Sequence, residues 1–393
     1  MGHYRPLHCH CLIVLAFDSF IRLCTSSTAH TPVANFVFGD SLVDSGNNNY
    51  ILSLSKADFV PNGIDFGGPT GRYTNGRTIV DIIGQEIGLS GFTPPYLAPT
   101  TAGPAILQGV NYASGGGGIL NHTGKIFGGR INLDAQMDNF ANTRQQIIST
   151  IGDAAAAKLF HSALFSVTIG SNDFINNYLT PAPCVDRVAQ KQVPPESFVA
   201  AMISRFRTQL TRLYRMGGRR IVVANVGPIG CIPFQREINS AGAGAGPGCA
   251  AFPNQVAQLY NGQLRGLVQQ LGTELPGSQF VYADVYRIVE DIIRNYSSYG
   301  FQNAAAPCCQ LLLLSGVPAA PAGGPGPGLG LIDHINSLIP CGPASKVCPD
   351  RSKYVFWDPF HPTEAANAII ASRLFDGHHP YIFPVNIRRL TNE

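Results

Sequence analysis

Short apolar runs, each followed by a longer stretch of helical spacing, alternate along almost the whole chain, and this alternation limits the folds open to it. Val33–Phe38 reads as a buried strand ending at Gly39, and Val110–Tyr112 is a short strand candidate. Ala163–Ile169, Arg220–Asn225 and Gln279–Ala283 repeat the pattern, and Tyr354–Trp357 reads as a short final strand. Between them, 77–89, 133–151, 195–216, 252–271, 286–296 and 362–375 carry apolar residues at helical spacing, the last with Pro362 at its first position. Strands that are apolar throughout are covered on both faces, and strand–helix alternation means parallel pairing. The expectation is a three-layer α/β/α domain over 30–393, with a parallel sheet of about five strands.

One stretch departs from this rhythm. Residues 310–337 contain Leu311–Leu314 and then a Pro/Gly-rich run, which predicts an irregular surface insertion. The glycine-rich 242–248 segment reads as a smaller loop of the same kind, and neither has the spacing or the strand–helix setting of a dinucleotide loop.

Charge narrows the partners. Charged residues make up 13% of the chain, net charge is +3 and no Lys/Arg block occurs, so nucleic acid is not expected as a partner. Residues 1–29 combine basic residues, the apolar run Cys11–Phe17 and the small residues Ser27-Thr-Ala29, the pattern of a secretory leader. No other run is long enough to span a bilayer. Beyond the leader, seven cysteines remain: Cys184, Cys231, Cys249, Cys308, Cys309, Cys341 and Cys348. They show no zinc spacing, so disulfides with one thiol left over are expected in an extracellular protein. Cys231 with Cys249 would close a short loop. Asn121-His-Thr and Asn295-Tyr-Ser are candidate glycosylation acceptors.

The chemistry should lie outside the carboxyl ends of the strands, where open α/β sheets bind ligands. Gly39-Asp-Ser41 follows the first strand, and Ala113-Ser-Gly115 follows the next. Gly170-Ser-Asn-Asp173 follows the third, and Asp358-Pro-Phe-His361 the last. Ester hydrolysis requires such a set. A serine hydroxyl needs a base, imidazole can accept its proton near neutrality, and a carboxylate fixes the imidazole's tautomer. Amide donors must meet the oxyanion.

Each segment alone has a plain structural alternative. Gly-Asp-Ser is a common turn, the glycine run 115–118 could be a flexible turn, Asn172-Asp173 a helix cap, and His361 a first-turn residue near a capping Asp358. Their shared position after sheet strands favours chemistry. Asp376-Gly-His-His379-Pro380 repeats the Asp-x-x-His-Pro spacing but follows a helix, so it should lie in an exposed tail.

At these residues the chain resembles the plant GDSL esterase/lipase family of the SGNH hydrolase superfamily. Phe36–Asn49 is similar to the family's first block, Asn111–Ile119 to its second, Ile169–Phe174 to its third and Asp358–Glu364 to its last, with Asn225–Pro233 similar to a segment between them. The resemblance runs from about residue 33 to about 375. It implies a flavodoxin-like fold, a leader peptide, no metal and no organic cofactor. It also implies Ser41 as nucleophile, Asp358 and His361 as acid and base, and Ser41, Gly115 and Asn172 as oxyanion donors. Asp40 and Asp173 are expected to shape turns. In the family, the paired cysteines join the next cysteine across a short loop, whereas here the long insertion separates Cys308-Cys309 from Cys341. The expected protein is a secreted monomer acting on a lipid, polyester or acylated glycan ester. An acyltransferase on the same triad and a catalytically silent binding protein are the alternatives.

Overall fold

The computed structural model describes residues 33–179, 193–240, 248–311 and 341–392. The expected leader, Cys184, most of the loop at 242–248 and all of the predicted insertion from 312 onward lie outside the described residues.

Four parallel strands form the centre: β1 (Asn35–Gly39), β2 (Leu164–Thr168), β3 (Arg220–Ala224) and β4 (Gln279–Ala283). They lie side by side in that order. Asn111 bridges to Val37 on the outer side of β1, so the order from that edge is the 2-1-3-4-5 of doubly wound flavodoxin-like sheets. The expected strand at 110–112 is thus a pair of isolated bridges at Asn111, to Val37 and to Pro95, not a strand. The fifth strand of the sheet is antiparallel: β9 (Ile382–Phe383) pairs with β4.

Phe36, Phe38, Tyr112, Phe140 and Phe165 are buried in mutual ring contacts across β1 and β2. Fully burying such a side chain stabilises a fold by about 1.5–3 kcal/mol, which explains why these short runs pair internally. Helices α2 (Leu133–Ile151), α4 (Pro195–Arg215) and α6 (Ala251–Glu274) pack as one group, with α3 (Asp153–Ser162) against α2. Helices α1 (Ile79–Glu86), α7 (Val285–Arg294) and α8 (Glu364–Phe375) form the other, and α5 (Pro233–Ser240) lies near the β3 end.

Three expectations about the C-terminal part are corrected. The strand β8 (Tyr354–Phe356) does not join the main sheet but pairs with β5 (Asn303–Pro307). Beside it, β6 (Cys309–Leu311) pairs with β7 (Ser345–Val347), so the first two residues of the predicted irregular insertion are strand. Pro362 is not the first residue of the last helix either. Thr363 caps α8 by accepting the N–H of Ala366, the preferred chemistry at a helix start.

Three disulfides are present among the described residues. Cys231–Cys249 closes the short loop the spacing suggested. Cys308–Cys348 and Cys309–Cys341 hold the β6–β7 ribbon, so separation along the chain does not keep these cysteines apart. Among the described residues no helix is long and apolar enough to cross a membrane.

Candidate active site

Ser41 stands two residues beyond β1, in a turn shaped by the residues beside it. Asp40 N–H donates to Thr168 O (3.2 Å), and Asp40 Oδ1 accepts the N–H of Leu42 (3.0 Å). Gln136 on α2 reads both polar groups of Gly39, accepting its N–H at 2.9 Å and donating to its carbonyl at 2.8 Å. The last residue of β1 is therefore held by a side chain 97 positions away.

His361 reaches the same place from the other end of the chain. Its Nε2 lies 2.7 Å from Ser41 Oγ. Its Nδ1 lies 2.8 Å from Asp358 Oδ2 and 2.9 Å from Oδ1. Asp358 is fully buried and also accepts the N–H groups of Phe360 (2.8 Å) and His361 (2.7 Å). A carboxylate so bonded to Nδ1 leaves the lone pair of Nε2 facing Ser41.

The turn carrying this pair is fastened on both sides. Cys308 N–H donates to Phe356 O (3.0 Å), Cys309 N–H to Trp357 O (2.6 Å), and Trp357 N–H to His361 O (2.8 Å). The buried Trp357 indole donates to Asn62 Oδ1 at 2.9 Å. From the other side, Thr74 Oγ1 donates to Pro362 O (3.0 Å), and Asn75 Oδ1 accepts Glu364 N–H (2.9 Å). The 72–77 segment is fixed by the buried Arg72–Asp81 pair, with two contacts of 2.7 Å. Asp81 also completes the capping box of α1 with Thr78.

Two buried carboxylates grip the glycine run at its ends. Asp44 accepts Gly46 N–H (2.7 Å), Asn47 N–H (2.8 Å) and Gly115 N–H (3.0 Å). Asp173 accepts Ile119 N–H (2.9 Å), Leu120 N–H (3.0 Å) and the Thr123 hydroxyl (2.7 Å). Asn47 and Asn48 complete the grip, donating to the carbonyls of Ala113 (2.8 Å) and Gly115 (2.9 Å). Burial pushes Asp44 and Asp173 each up to about 6, against the opposing pull of these hydrogen bonds. Burial likewise pushes Asp40 up to about 7. Asp40 Oδ2 has no hydrogen-bond partner, the arrangement in which a neutral carboxyl costs less than a charged one.

This geometry corrects the expected role of Gly115. Its N–H is committed to Asp44, and a side chain there would run into the Tyr73 hydroxyl at 2.1 Å. Gly116, with φ of +79°, lines the cavity together with Ser41 and Asn172. Neither the Ser41 nor the Gly116 N–H has an acceptor among the described residues. Asn172 sits where expected: Nδ2 donates to Gly117 O (3.0 Å) and Oδ1 accepts Asn176 Nδ2 (2.6 Å), leaving one amide hydrogen for the cavity. The sequence reading missed Asp44, Asn48 and Tyr73, whose ring lies 5.2 Å from the His361 ring. A second carboxylate three residues after Ser41 was the available signal for Asp44.

The second Asp-x-x-His set lies apart from these residues. His379 is exposed, its one ring contact is with Phe383, and Asp376 pairs with Arg388. Among the described residues no group of His, Cys, Asp and Glu could hold a metal ion.

The sheet order, with a serine, an imidazole and a carboxylate in hydrogen-bonded line beside its carboxyl edge, is the architecture of the SGNH hydrolases. The chain belongs to the GDSL-like lipase/acylhydrolase family, whose model matches residues 36–374. It is 60% identical over 381 residues to GDSL esterase/lipase At4g16230 of Arabidopsis thaliana, covering 97% of this chain and 96% of that one. It is 47% identical to GDSL esterase/lipase At2g23540 of the same plant, covering 91% of this chain and 87% of that one.

Proposed function

We propose that this chain is a secreted carboxylic ester hydrolase working through Ser41, His361 and Asp358. The observation that carries the reading is the unbroken line from Asp358 Oδ2 to His361 Nδ1 (2.8 Å) and from His361 Nε2 to Ser41 Oγ (2.7 Å). Ser41 Oγ attacks the ester carbonyl as His361 Nε2 takes its proton. The carbonyl oxygen becomes an oxyanion held by the N–H groups of Ser41 and Gly116 and the free hydrogen of Asn172 Nδ2, donors whose individual loss costs about 2.7–4 kcal/mol in such sites. The tetrahedral adduct collapses, the ester C–O bond breaks, and His361 returns the proton to the leaving alcohol. Water repeats the cycle on the acyl-enzyme and releases the acid.

Secretion is supported by the leader pattern of 1–29 and by three disulfides, which persist in oxidising compartments. Asn121 and Asn295 are exposed, as glycosylation would require. Residues 30–393 form one catalytic domain in this reading.

The test is hydrolysis of p-nitrophenyl acetate and butyrate by wild type and Ser41→Ala, both verified as folded by circular dichroism. Turnover that disappears in the variant supports the reading. Equal turnover in both overturns it. Added glycerol that captures acyl groups in place of water would assign the same acyl-enzyme to a transferase.

A further inference from the structure

The imidazole of His361 has a neighbour with no part in the chemistry above. The Tyr73 ring lies 5.2 Å from it, centroid to centroid, at a tilt of 36°, nearer to stacked than to edge-on. Both residues are buried. Phe360, the other ring beside the imidazole, is farther away at 6.1 Å, more steeply tilted at 59° and partly exposed.

The Tyr73 ring is held on several sides. Thr74 and Asn75, next in the chain, bond Pro362 O and Glu364 N–H just beyond His361. The Tyr73 hydroxyl lies 3.0 Å from Ser55 Oγ and accepts from Asn48 Nδ2 at 3.3 Å. The same hydroxyl abuts Gly115, where a Cβ would come within 2.1 Å of it. The ring thus spans the space between the glycine run and the imidazole. Burial, reinforced by the nearby Asp44, keeps the phenol proton on to well above the ordinary range, so the ring stays uncharged.

An aromatic ring carries negative potential on its face. A cation within about 6 Å of the ring centre is favoured over the neutral form by roughly 2- to 30-fold, more where water is excluded. In the proposed reaction His361 is neutral before attack and a cation once it holds the Ser41 proton. Such an attraction grows on the way to the transition state, and only interactions of that kind raise turnover.

We propose that Tyr73 is a positioning residue whose ring stabilises the His361 imidazolium formed as Ser41 loses its proton. The proposal rests on the hydrolase reading for that step. The other titratable groups facing the pair are Asp358 and Asp40 around the imidazole and Asp44 near the phenol, and they are the same in every variant below.

The experiment compares Tyr73→Phe, which keeps the ring and drops the hydroxyl, with Tyr73→pentafluorophenylalanine, which keeps the shape and reverses the potential of the ring face. Both are set against wild type in the pH profile of kcat/KM for p-nitrophenyl butyrate. Tyr73→Phe is expected to stay within about threefold of wild type, with the acid limb in place. In Tyr73→pentafluorophenylalanine kcat should fall about tenfold or more with little change in KM, and the acid limb should move down by about 0.5 pH unit or more. Superimposable profiles for the two variants overturn the proposal. An NMR titration of the His361 imidazole in Ser41→Ala, combined with either change at Tyr73, reads the same attraction without turnover. A midpoint lower by about 0.5 pH unit or more in the fluorinated protein supports the role of the ring even if wild type hydrolyses nothing, in which case the hydrolase reading alone fails. Equal midpoints overturn that role.

Discussion

Asp44 Oδ2 accepts the N–H of Gly115 at 3.0 Å, joining the turn after β1 to the glycine run 71 residues later. The contact fixes the backbone one residue before Gly116, so in the proposed mechanism Asp44 would position the oxyanion donors without touching them. Asp44→Asn would set an amide against an N–H donor and orphan it, at a cost of about 1–3 kcal/mol. The expected outcome is a lower melting temperature together with a kcat reduced at least tenfold and a smaller change in KM. A variant that loses stability while keeping full kcat would show that Asp44 only supports the fold.

The raised carboxyls give the fold a pH dependence of definite sign. Asp40 (about 7), Asp44 (about 6) and Asp173 (about 6) all lie above the 3.8 of an exposed aspartate because they are buried. Between pH 4 and 7 the folded chain therefore holds more protons at these sites than the unfolded chain. Their contribution to stability falls as pH rises through that window. Carboxyls lowered by partners, such as Asp65 beside Arg351, titrate below it. His122, held down by burial and by Lys125 and Arg130, works in the opposite sense. Asp40→Asn isolates one contributor: its melting temperature should decline less steeply from pH 5 to 8 than that of wild type. Parallel curves would mean that Asp40 is charged throughout.

The strands and helices were legible in the sequence because their periodicity is a property of local side chains. Ser41 and Asn172 could be placed from the sequence because they follow β1 and β2 at the carboxyl edge of the parallel sheet, whereas Asp358 and His361 follow β8, which lies outside that sheet, and meet Ser41 through the turn that carries them. Gly115 and Gly116 could not be told apart from a run of four glycines, since only the distant Asp44 decides which amide is used up. The placement of β8 was also misread. An apolar tetrapeptide says nothing about its partner; β8 pairs with β5, with Asn303 opposite Tyr354, 51 positions later, while two disulfides close the neighbouring β6–β7 ribbon across 32 and 40 positions.

Those disulfides carry a prediction of their own. Cys308 and Cys309 donate directly to the backbone of Phe356 and Trp357, the residues that lead into Asp358. Replacing Cys308 and Cys348 together by serine should lower stability by about 2–4 kcal/mol. It should also reduce kcat beyond what the lost stability explains, because the imidazole loses its fixed approach to Ser41. Thermal melts and kinetics at a temperature where both proteins are folded separate the two effects.

The histidines provide an internal control. His379→Ala should leave ester turnover within about twofold of wild type, as surface substitutions ordinarily do. Asp358→Asn should reduce kcat by roughly 10³–10⁴, the scale expected when the base loses its orienting carboxylate. A large loss at His379 would contradict the assignment of His361 as base.

The central claim is that His361 makes Ser41 a nucleophile, and active-site labelling reads this without any choice of ester. Wild type, Ser41→Ala and His361→Ala would each be treated with a fluorophosphonate, and the adduct located by peptide mass spectrometry. The expected result is one adduct on Ser41 in wild type, none in Ser41→Ala, and labelling slowed at least a hundredfold in His361→Ala. An adduct on another serine, or labelling of Ser41 at an undiminished rate without His361, would contradict it.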